Sequence, residues 1–318
     1  MGKSNMRLLV VHYQRPHFEV VLALLANLGQ RYDIRVWSNA LHFFERRSLL
    51  DQLGAALFDP ALEYDALVIV SGEQTPSDAD AGPVLAKLLR TKPVLRIMHR
   101  AAAEELAGEL RFFPKSRLPF VPVVTGLPGR MDRIPADGSR SLLIQGNVEN
   151  RRNYNLLPQL ISKFPRLTFS VVGLKVTTEL PAAPNLSVYL NQPEREFHSI
   201  CAASTFILPL IDPVSYRGYF TDRFTSSIHI GFAYALPFIA HQALFDLYPI
   251  AGLAYSTDAG FQECLERAER MSAEAVASLR AEMEQARERQ KQLNLAHFAT
   301  HLGEAMRAWK PYSLDASA

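Results

Sequence analysis

The chain has 318 residues, of which 48% are hydrophobic, and a formal net charge of +2. This length exceeds the size at which one hydrophobic core keeps growing, so we expect two domains. The near balance of charges gives no general indication of nucleic-acid binding. No stretch of about 18 uninterrupted apolar residues predicts a membrane span, and the first 13 residues lack the apolar core of a secretory leader. Cys201 and Cys264 lie in apolar or helical contexts, which favours reduced cysteines in a cytoplasmic protein.

Short β-rich runs alternate with helical periodicity in the first half of the chain. We expect strands at 7–13, 33–37, 64–71 and 93–99, and helices at 18–28, 41–53 and 82–90. Such alternation predicts βαβ units around a parallel sheet, and ligands of such sheets bind beyond the carboxyl ends of the strands.

Polar residues follow the carboxyl ends of these predicted strands. Gln14, Arg15 and His17 follow the first strand, and His99 and Arg100 follow the fourth. An arginine beside a histidine at a strand end suits an anionic or polyhydroxyl ligand, so we expect a substrate to bind here. A metal site is not predicted, because the histidines lie on different loops without a carboxylate or cysteine at matching spacing.

Prolines and glycines interrupt the alternation between residues 110 and 137, which predicts a domain boundary. We place a first domain at 1–125 and a second at 126–293, with a short strand at 120–124. Asn294 is expected to cap a last helix, 294–310, that packs back on the first domain. Residues 111–117 and 42–47 are rich in cations and aromatic rings. They predict either an exposed linker or a peripheral contact with anionic lipid on the inner membrane face.

The second half restarts the alternation and contains the segment 219–241, YFTDRFTSSIHIGFAYALPFIAH. Its order predicts a polar loop, a helix, a proline stop and a buried strand. A helix start exposes free N–H groups and a positive dipole end, and the hydroxyls of Thr225, Ser226 and Ser227 beside it suit a phosphate. The alternative is a capped core helix that binds nothing.

A second phosphate-competent element is the loop after the predicted strand at 141–145. It contains Gly146, Asn147, Arg151 and Arg152, and with Arg223 near the helix start these groups would bracket a diphosphate. Neither GxxxxGK[ST] nor GxGxxG occurs. Because no acidic metal pair is evident, the pattern favours a nucleotide-sugar whose leaving group is stabilised by protein cations.

Several stretches resemble parts of the GT-B glycosyltransferases, particularly those of the GT4 type. The segment 146–157, GNVENRRNYNLL, resembles the family's strand-to-helix loop, and 169–209 follow its order of strands. The segment 222–239, which ends in ALPFI, resembles its donor-binding helix. In the first half, PVLRIMH at 93–99 resembles the strand that ends in the family's active-site histidine.

The resemblance implies an α/β fold of two doubly wound, Rossmann-like domains facing across a cleft. It places Arg152 at the position of a diphosphate-binding lysine and Asn147 where the family has an arginine. The family has two glutamates eight positions apart. In this chain Asp222 occupies the first of these positions and Ile230 the second. The ribose contact of the second carboxylate is therefore absent or made by Ser227 or His229, and the stereochemical outcome stays open.

The resulting hypothesis is a metal-independent, nucleotide-sugar-dependent glycosyltransferase of polysaccharide, glycolipid or glycoconjugate synthesis. It needs no cofactor, and its partners are a nucleotide-sugar donor and a carbohydrate, lipid-linked or protein acceptor. The donor binds to the second domain, where Asp222 contacts the sugar. The acceptor binds to the first domain beside Gln14, Arg15 and Arg100. His99 or His17 orients or deprotonates the acceptor hydroxyl. Two alternatives remain, a sugar-nucleotide epimerase and a non-catalytic GT-B-like binding or regulatory protein.

Overall fold

The computed structural model describes residues 5–13, 17–70, 78–98, 109–116, 119–123, 140–149 and 151–310, with side chains omitted at 78–81. Four of the predicted site residues, Gln14, Arg15, His99 and Arg100, lie outside these ranges, so their predicted roles stay predictions.

The chain divides into two compact units. Unit 1 comprises 1–122 and 291–318, and unit 2 comprises 123–290. The domain boundary predicted at 125/126 falls in a stretch that is mostly outside the described residues. The second division, at 290/291, lies within one continuous helix.

Unit 1 contains a parallel sheet and the helices that connect its strands. The strands are β1 (Arg7–His12), β2 (Asp33–Ser38), β3 (Ala56–Leu57), β4 (Ala66–Val70), β5 (Val94–Met98) and β6 (Glu109–Arg111). The helices are α1 (Phe18–Leu28), the 3₁₀ turn η1 (Phe43–Glu45), α2 (Arg46–Gln52) and α3 (Asp78–Thr91).

Unit 2 repeats this alternation. Its strands are β7 (Arg140–Gln145), β8 (Leu167–Gly173), β9 (Leu186–Leu190), β10 (Phe206–Ile207), β11 (Phe238–His241) and β12 (Gly252–Tyr255). Its helices are η2 (Tyr154–Leu156), α4 (Leu157–Lys163), α5 (Glu194–Ala202), α6 (Gly218–Thr221), α7 (Ser226–Ala233), α8 (Gln242–Phe245) and α9 (Asp258–Arg270). The last helix, α10 (Ala273–Ala308), starts in unit 2 and ends in unit 1.

The two described sheets have the same topology. The first has the order β3-β2-β1-β4-β5-β6, and the second has β12-β11-β10-β7-β8-β9, which is the same order read from the other edge. The pairings among the described strands are parallel. The predicted α/β class with two doubly wound sheets is therefore confirmed. In each sheet the strand order reverses beside the first strand, at the β1/β4 pair and at the β7/β10 pair.

The cores explain why these segments form strands. The central strand β4 is buried at all five positions, and β1 at five of its six positions. Helices cover both faces of such a sheet, which is why its strands are near-continuous apolar runs. The core of unit 2 combines residues of β7, β8 and β10 with residues of α4 and α9.

Two predictions about unit 1 are wrong. The described residues at 120–123 form no strand, because the side chain of Asn294 binds both the N–H and the C=O of Val121, at 3.2 and 2.7 Å. Those backbone groups are therefore unavailable to a neighbouring strand. Asn294 does not cap a helix either, since it is a buried residue within α10. The part of α10 that follows it nevertheless packs in unit 1, where Phe298 meets Tyr32 at a ring-centroid distance of 5.9 Å.

The predicted lipid contacts are wrong for the described part of 111–117. Arg111, Phe112 and Phe113 are buried, so these rings face protein rather than a lipid surface. At 42–47, Arg46 is also buried, with its guanidinium 4.7 Å from the ring centroid of Phe18. Across the described residues, no helix is long and apolar enough to cross a bilayer.

Candidate functional site

A glycine follows β7 at the carboxyl edge of the second sheet. Gly146 has φ +132°, and its N–H donates to the carbonyl of Val172 at 2.8 Å. A Cβ at this position would lie 2.6 Å from Nε of Arg152. Glycine is needed both for the positive φ and because the guanidinium of Arg152 lies directly against this backbone.

Arg152 lies at the point where the strand order of unit 2 reverses. It is only 6% exposed. Its Nη1 donates to the carbonyl oxygen of Pro209, just after β10, and its Nη2 donates to Oγ of Ser227 at 3.3 Å. These contacts hold the cation between the loop after β7, the loop after β10 and the first turn of α7. Crevices at such reversal points are where open α/β sheets bind ligands.

The acceptors around Arg152 are neutral. Within the described chain no carboxylate pairs with it, although its side chain is almost completely buried. A buried cation without a counter-charge is costly, because neutral hydrogen bonds replace only part of its hydration. An anionic ligand would supply the missing charge, so the environment of Arg152 indicates an anion site.

The first turn of α7 completes this site. Thr225, the N-cap residue, is 1% exposed, caps no helix N–H with its side chain, and its Oγ1 has no hydrogen-bond partner among the described residues. Ser226 donates through Oγ to Oε1 of Gln145 at 2.9 Å. The first turn carries no acidic residue. The free N–H groups and the positive dipole end of this helix start therefore lie beside the cation Arg152, and the first turn has no carboxylate to offset their charge.

The other predicted cations lie in different surroundings. Arg151 is 52% exposed and its Nε is 3.4 Å from Oε1 of Glu149. Arg223 donates through Nη1 to the hydroxyl of Tyr216, and its Nε is 3.8 Å from Oδ2 of Asp222. Of the predicted phosphate-binding cations, Arg152 is thus the one that directly contacts the first turn of α7.

Three further predicted residues have identifiable local contacts. Asn147 accepts a hydrogen bond from the N–H of Leu174 at 3.1 Å, which connects the loops after β7 and β8. Asp222 accepts from Oγ1 of Thr221 at 3.2 Å and remains partly exposed. His17, in unit 1, precedes α1 with φ 68°, and its Nδ1 is 3.4 Å from Oε1 of Glu19.

The second position of the glutamate pair is occupied by a core residue. Ile230 is 2% exposed, and both Ser227 and His229 are buried as well. Ser227 already accepts from Arg152. Neither of the two residues expected to replace the ribose contact is therefore exposed in this state.

Sequence reasoning missed Gln145, Tyr154 and Tyr216. Gln145 ends β7, so its position at a strand end was a usable signal. Tyr154 begins η2 and is 3% exposed, and Tyr216 binds Arg223. No sequence signal distinguishes these tyrosines from ordinary core residues. Among the described residues, no group of three or more His, Cys, Asp or Glu side chains is arranged to hold a metal ion.

Comparisons with known proteins bear on the fold. No protein-family model and no curated protein matches the sequence. An α-glucosyltransferase solved with UDP and a 13-mer DNA superposes with a TM-score of 0.55, 12% identity, and coverage of 89% of this chain and 94% of that chain. A UDP-forming α,α-trehalose-phosphate synthase from Burkholderia xenovorans superposes with a TM-score of 0.50 and 11% identity. The match covers 94% of this chain and 99% of that chain. A UDP-GlcNAc 2-epimerase from Neisseria meningitidis bound to UDP-GlcNAc has a TM-score of 0.49 and 12% identity. That match covers 92% of this chain and 100% of the other chain.

The first two likenesses, taken with the two doubly wound sheets, define the class of fold. The chain has the two-domain α/β architecture of the GT-B glycosyltransferases. At these identities the likeness establishes the fold alone, so activity has to be argued from the residues of the site.

Proposed function

We propose that the protein is a nucleotide-sugar-dependent glycosyltransferase whose donor diphosphate binds at the anion site formed by Arg152 together with the first turn of α7. The observation that carries this proposal is the buried guanidinium of Arg152, which has only neutral acceptors among the described residues. A diphosphate is an anion of suitable geometry for a guanidinium and for helix N–H groups. Fold likeness to enzymes that use or form UDP makes a nucleoside diphosphate the preferred candidate.

In this proposal the protein stabilises the departing diphosphate. Negative charge grows on the diphosphate oxygen as its bond to the anomeric carbon of the sugar breaks, and in this proposal Arg152 and the α7 amides stabilise that charge. Preorganised donors of this kind lower the barrier because they need no rearrangement during the reaction. Thr225 adds a hydroxyl that no described protein atom satisfies. Gly146 contributes by leaving room for the guanidinium.

The remaining roles follow the same proposal. Asp222, partly exposed beside the start of α7, contacts the sugar, and His17 or His99 orients or deprotonates the acceptor hydroxyl. The acceptor is a carbohydrate, a lipid-linked sugar or a protein, as polysaccharide, glycolipid or glycoconjugate synthesis requires. Asn147 and Ser226 hold the loops around the diphosphate through Leu174 and Gln145.

Replacing the buried cation tests the diphosphate site. Arg152→Met keeps most of the side-chain volume and removes the charge, and Arg151→Ala removes a neighbouring exposed cation as the control. Calorimetry with UDP, GDP, ADP and inorganic pyrophosphate should show binding by the wild type. Arg152→Met should weaken it about 30-fold or more, because a hydrogen bond to a charged group contributes about 1.5–3 kcal/mol. Arg151→Ala should change affinity by less than about threefold.

Two outcomes would contradict the site. Wild-type affinity in Arg152→Met would remove the assignment of the diphosphate to this cation. Failure of the wild type to bind any of the four compounds would remove the anion site itself. Melting temperatures of both variants without ligand are needed, so that a loss of affinity is not confused with unfolding.

Product analysis then tests the reaction. The wild type is incubated with the nucleotide-sugars of the bound nucleoside diphosphate, with and without a panel of sugar, lipid-linked and peptide acceptors. Glycosyl transfer predicts that release of the nucleoside diphosphate depends on the acceptor. A changed sugar configuration without an acceptor would replace the transferase by an epimerase, and binding without either reaction would indicate a non-catalytic protein.

A further inference from the structure

Tyr154 lies two residues after Arg152, at the start of η2. Its side chain is 3% exposed, and its hydroxyl has no hydrogen-bond partner among the described residues. Its backbone N–H donates to the carbonyl of Arg152 at 2.9 Å, which fixes the tyrosine beside the cation along the chain. A buried hydroxyl without a partner loses hydration without compensation, and such groups in folded proteins require an explanation.

The phenol of Tyr154 is a neutral donor and does not neutralise Arg152. Burial raises the pKa of Tyr154 to about 12, Arg152 lowers it, and Tyr219 and Glu149 add smaller increases. The hydroxyl therefore keeps its proton near neutral pH and cannot serve as the missing anion. The hydroxyl of Tyr154 has no described acceptor, and the guanidinium of Arg152 has only neutral ones. A negatively charged oxygen would serve as an acceptor for both groups.

We infer that Tyr154 is a further ligand-binding residue of the anion site, and that its hydroxyl donates to an oxygen of the bound diphosphate. The inference rests on the proposed function, because it uses the anion site around Arg152. It adds a second side-chain donor, two residues after Arg152 at the start of η2. Two donors from adjacent elements hold two oxygens of a diphosphate in a defined orientation, which a single cation does not.

A second tyrosine provides a matched control. Tyr248 is 2% exposed, and its hydroxyl likewise has no partner among the described residues. Burial alone raises its pKa, so no charged group contributes at that position. Its ring meets Phe224 at 6.1 Å between centroids, in the same unit. Tyr154 and Tyr248 therefore share burial and an unsatisfied hydroxyl, but only Tyr154 adjoins Arg152.

The test measures the affinity of the full-length wild type, Tyr154→Phe and Tyr248→Phe for inorganic pyrophosphate by calorimetry, with melting temperatures without ligand. Tyr154→Phe should bind about tenfold more weakly, because it loses a hydrogen bond to a charged oxygen. Its melting temperature should not fall, because the deleted hydroxyl has no hydrogen-bond partner among the described residues. Tyr248→Phe should match the wild type in affinity.

Three results would overturn the inference, and they have different meanings. Wild-type affinity in Tyr154→Phe removes the role of its hydroxyl and leaves the Arg152 site intact. An equal loss in both phenylalanine variants assigns the effect to core packing. Absence of pyrophosphate binding by the wild type, in the same assay as Arg152→Met, removes the anion site and the inference together.

Discussion

The two units share a sheet topology but differ in the side chains that the structure describes at the point where the strand order reverses. In unit 1, His12 ends β1, is buried, and its Nδ1 lies 2.9 Å from Oγ of Ser38 at the end of β2. In unit 2, the corresponding edge has Arg152, which spans from the loop after β10 to the start of α7. At the edge of unit 2, Arg152 is a buried cation whose described acceptors are neutral.

Because the topology is shared, the binding proposed for unit 2 depends on its side chains rather than on the sheet. Both strand orders create a crevice beyond the strand ends. A crevice becomes an anion site when donors converge there without a counter-charge. In the proposed function, unit 2 meets this condition through Gly146, Arg152, Thr225 and the amides of α7. The contrast is tested by changing the residues that create it.

The largest effect is expected from Gly146→Ala in unit 2. The new Cβ would be strained at φ +132° and would lie 2.6 Å from Nε of Arg152. The variant should lose about 3 kcal/mol in the free energy of unfolding, as backbone strain and displacement of a buried side chain combine. Pyrophosphate affinity should fall as well, because Arg152 must move. Chemical denaturation and calorimetry measure the two quantities.

Gly54→Ala is the matched control in unit 1. Gly54 has φ +64°, and a Cβ there would meet no atom within 4 Å. Only backbone strain remains, so we expect a loss of about 1 kcal/mol and unchanged pyrophosphate affinity. If Gly146→Ala proves no more harmful than Gly54→Ala, then the close approach of Arg152 to Gly146 does not constrain the site.

An intermediate effect is expected from Asn294→Ala, which belongs to unit 1. The Asn294 side chain binds Val121 through two hydrogen bonds and donates to Oδ1 of Asn27 at 3.2 Å. Removing it leaves buried backbone groups unsatisfied, so the free energy of unfolding should fall by about 2 kcal/mol. Because the residues involved lie in unit 1, pyrophosphate affinity should remain at the wild-type value.

Arg289→Ala, at an exposed position of the same helix, is the control and should change the free energy of unfolding by less than about 0.5 kcal/mol. Denaturation in urea measures both variants. A loss in Asn294→Ala no greater than in Arg289→Ala would show that the Asn294–Val121 contact does not contribute to stability. A large loss of pyrophosphate affinity would show that the two units are energetically coupled.

The smallest effect concerns the start of α10, the helix shared by both units. Hydrogen bonding to its own backbone N–H and to Ser272 lowers the pKa of Glu274 below its ordinary value of 4.5. A lowered carboxylate pKa stabilises the fold above the unfolded-state value, and this contribution is lost as the pH falls through the folded-state value. Glu274→Gln should therefore lower the melting temperature slightly at neutral pH and make no difference at about pH 3.

The same substitution at Glu282, an exposed position further along α10, provides the comparison for that experiment. Melting curves of the wild type and both variants are recorded across this pH range. A difference between Glu274→Gln and the wild type that persists at the acidic end would contradict the assigned hydrogen bonds of Glu274.

Much of the fold could be predicted from local pattern. The alternation of strands and helices predicted the two doubly wound sheets, and the segment 219–241 predicted α7 followed by β11. The errors at Val121 and Asn294 have a common physical cause. The side chain of Asn294 satisfies backbone groups 173 residues away, and local propensity cannot register a contact of that separation. The buried aromatic pair Phe112 and Phe113 was misread for the same reason, since burial depends on the packing partner.

The sequence by itself determined that this chain forms two parallel α/β sheets with a glycine–arginine loop and a hydroxyl-rich helix start, because these depend on short-range periodicity and residue type. Only the tertiary structure decided which arginine is buried against that helix and that its described acceptors are neutral. It also decided that the hydroxyls of Tyr154 and Thr225 have no partner in the described part of the chain. Those properties depend on which distant groups are brought together and removed from water. The energetic cost of an unpaired charge exists only once the chain has folded around it.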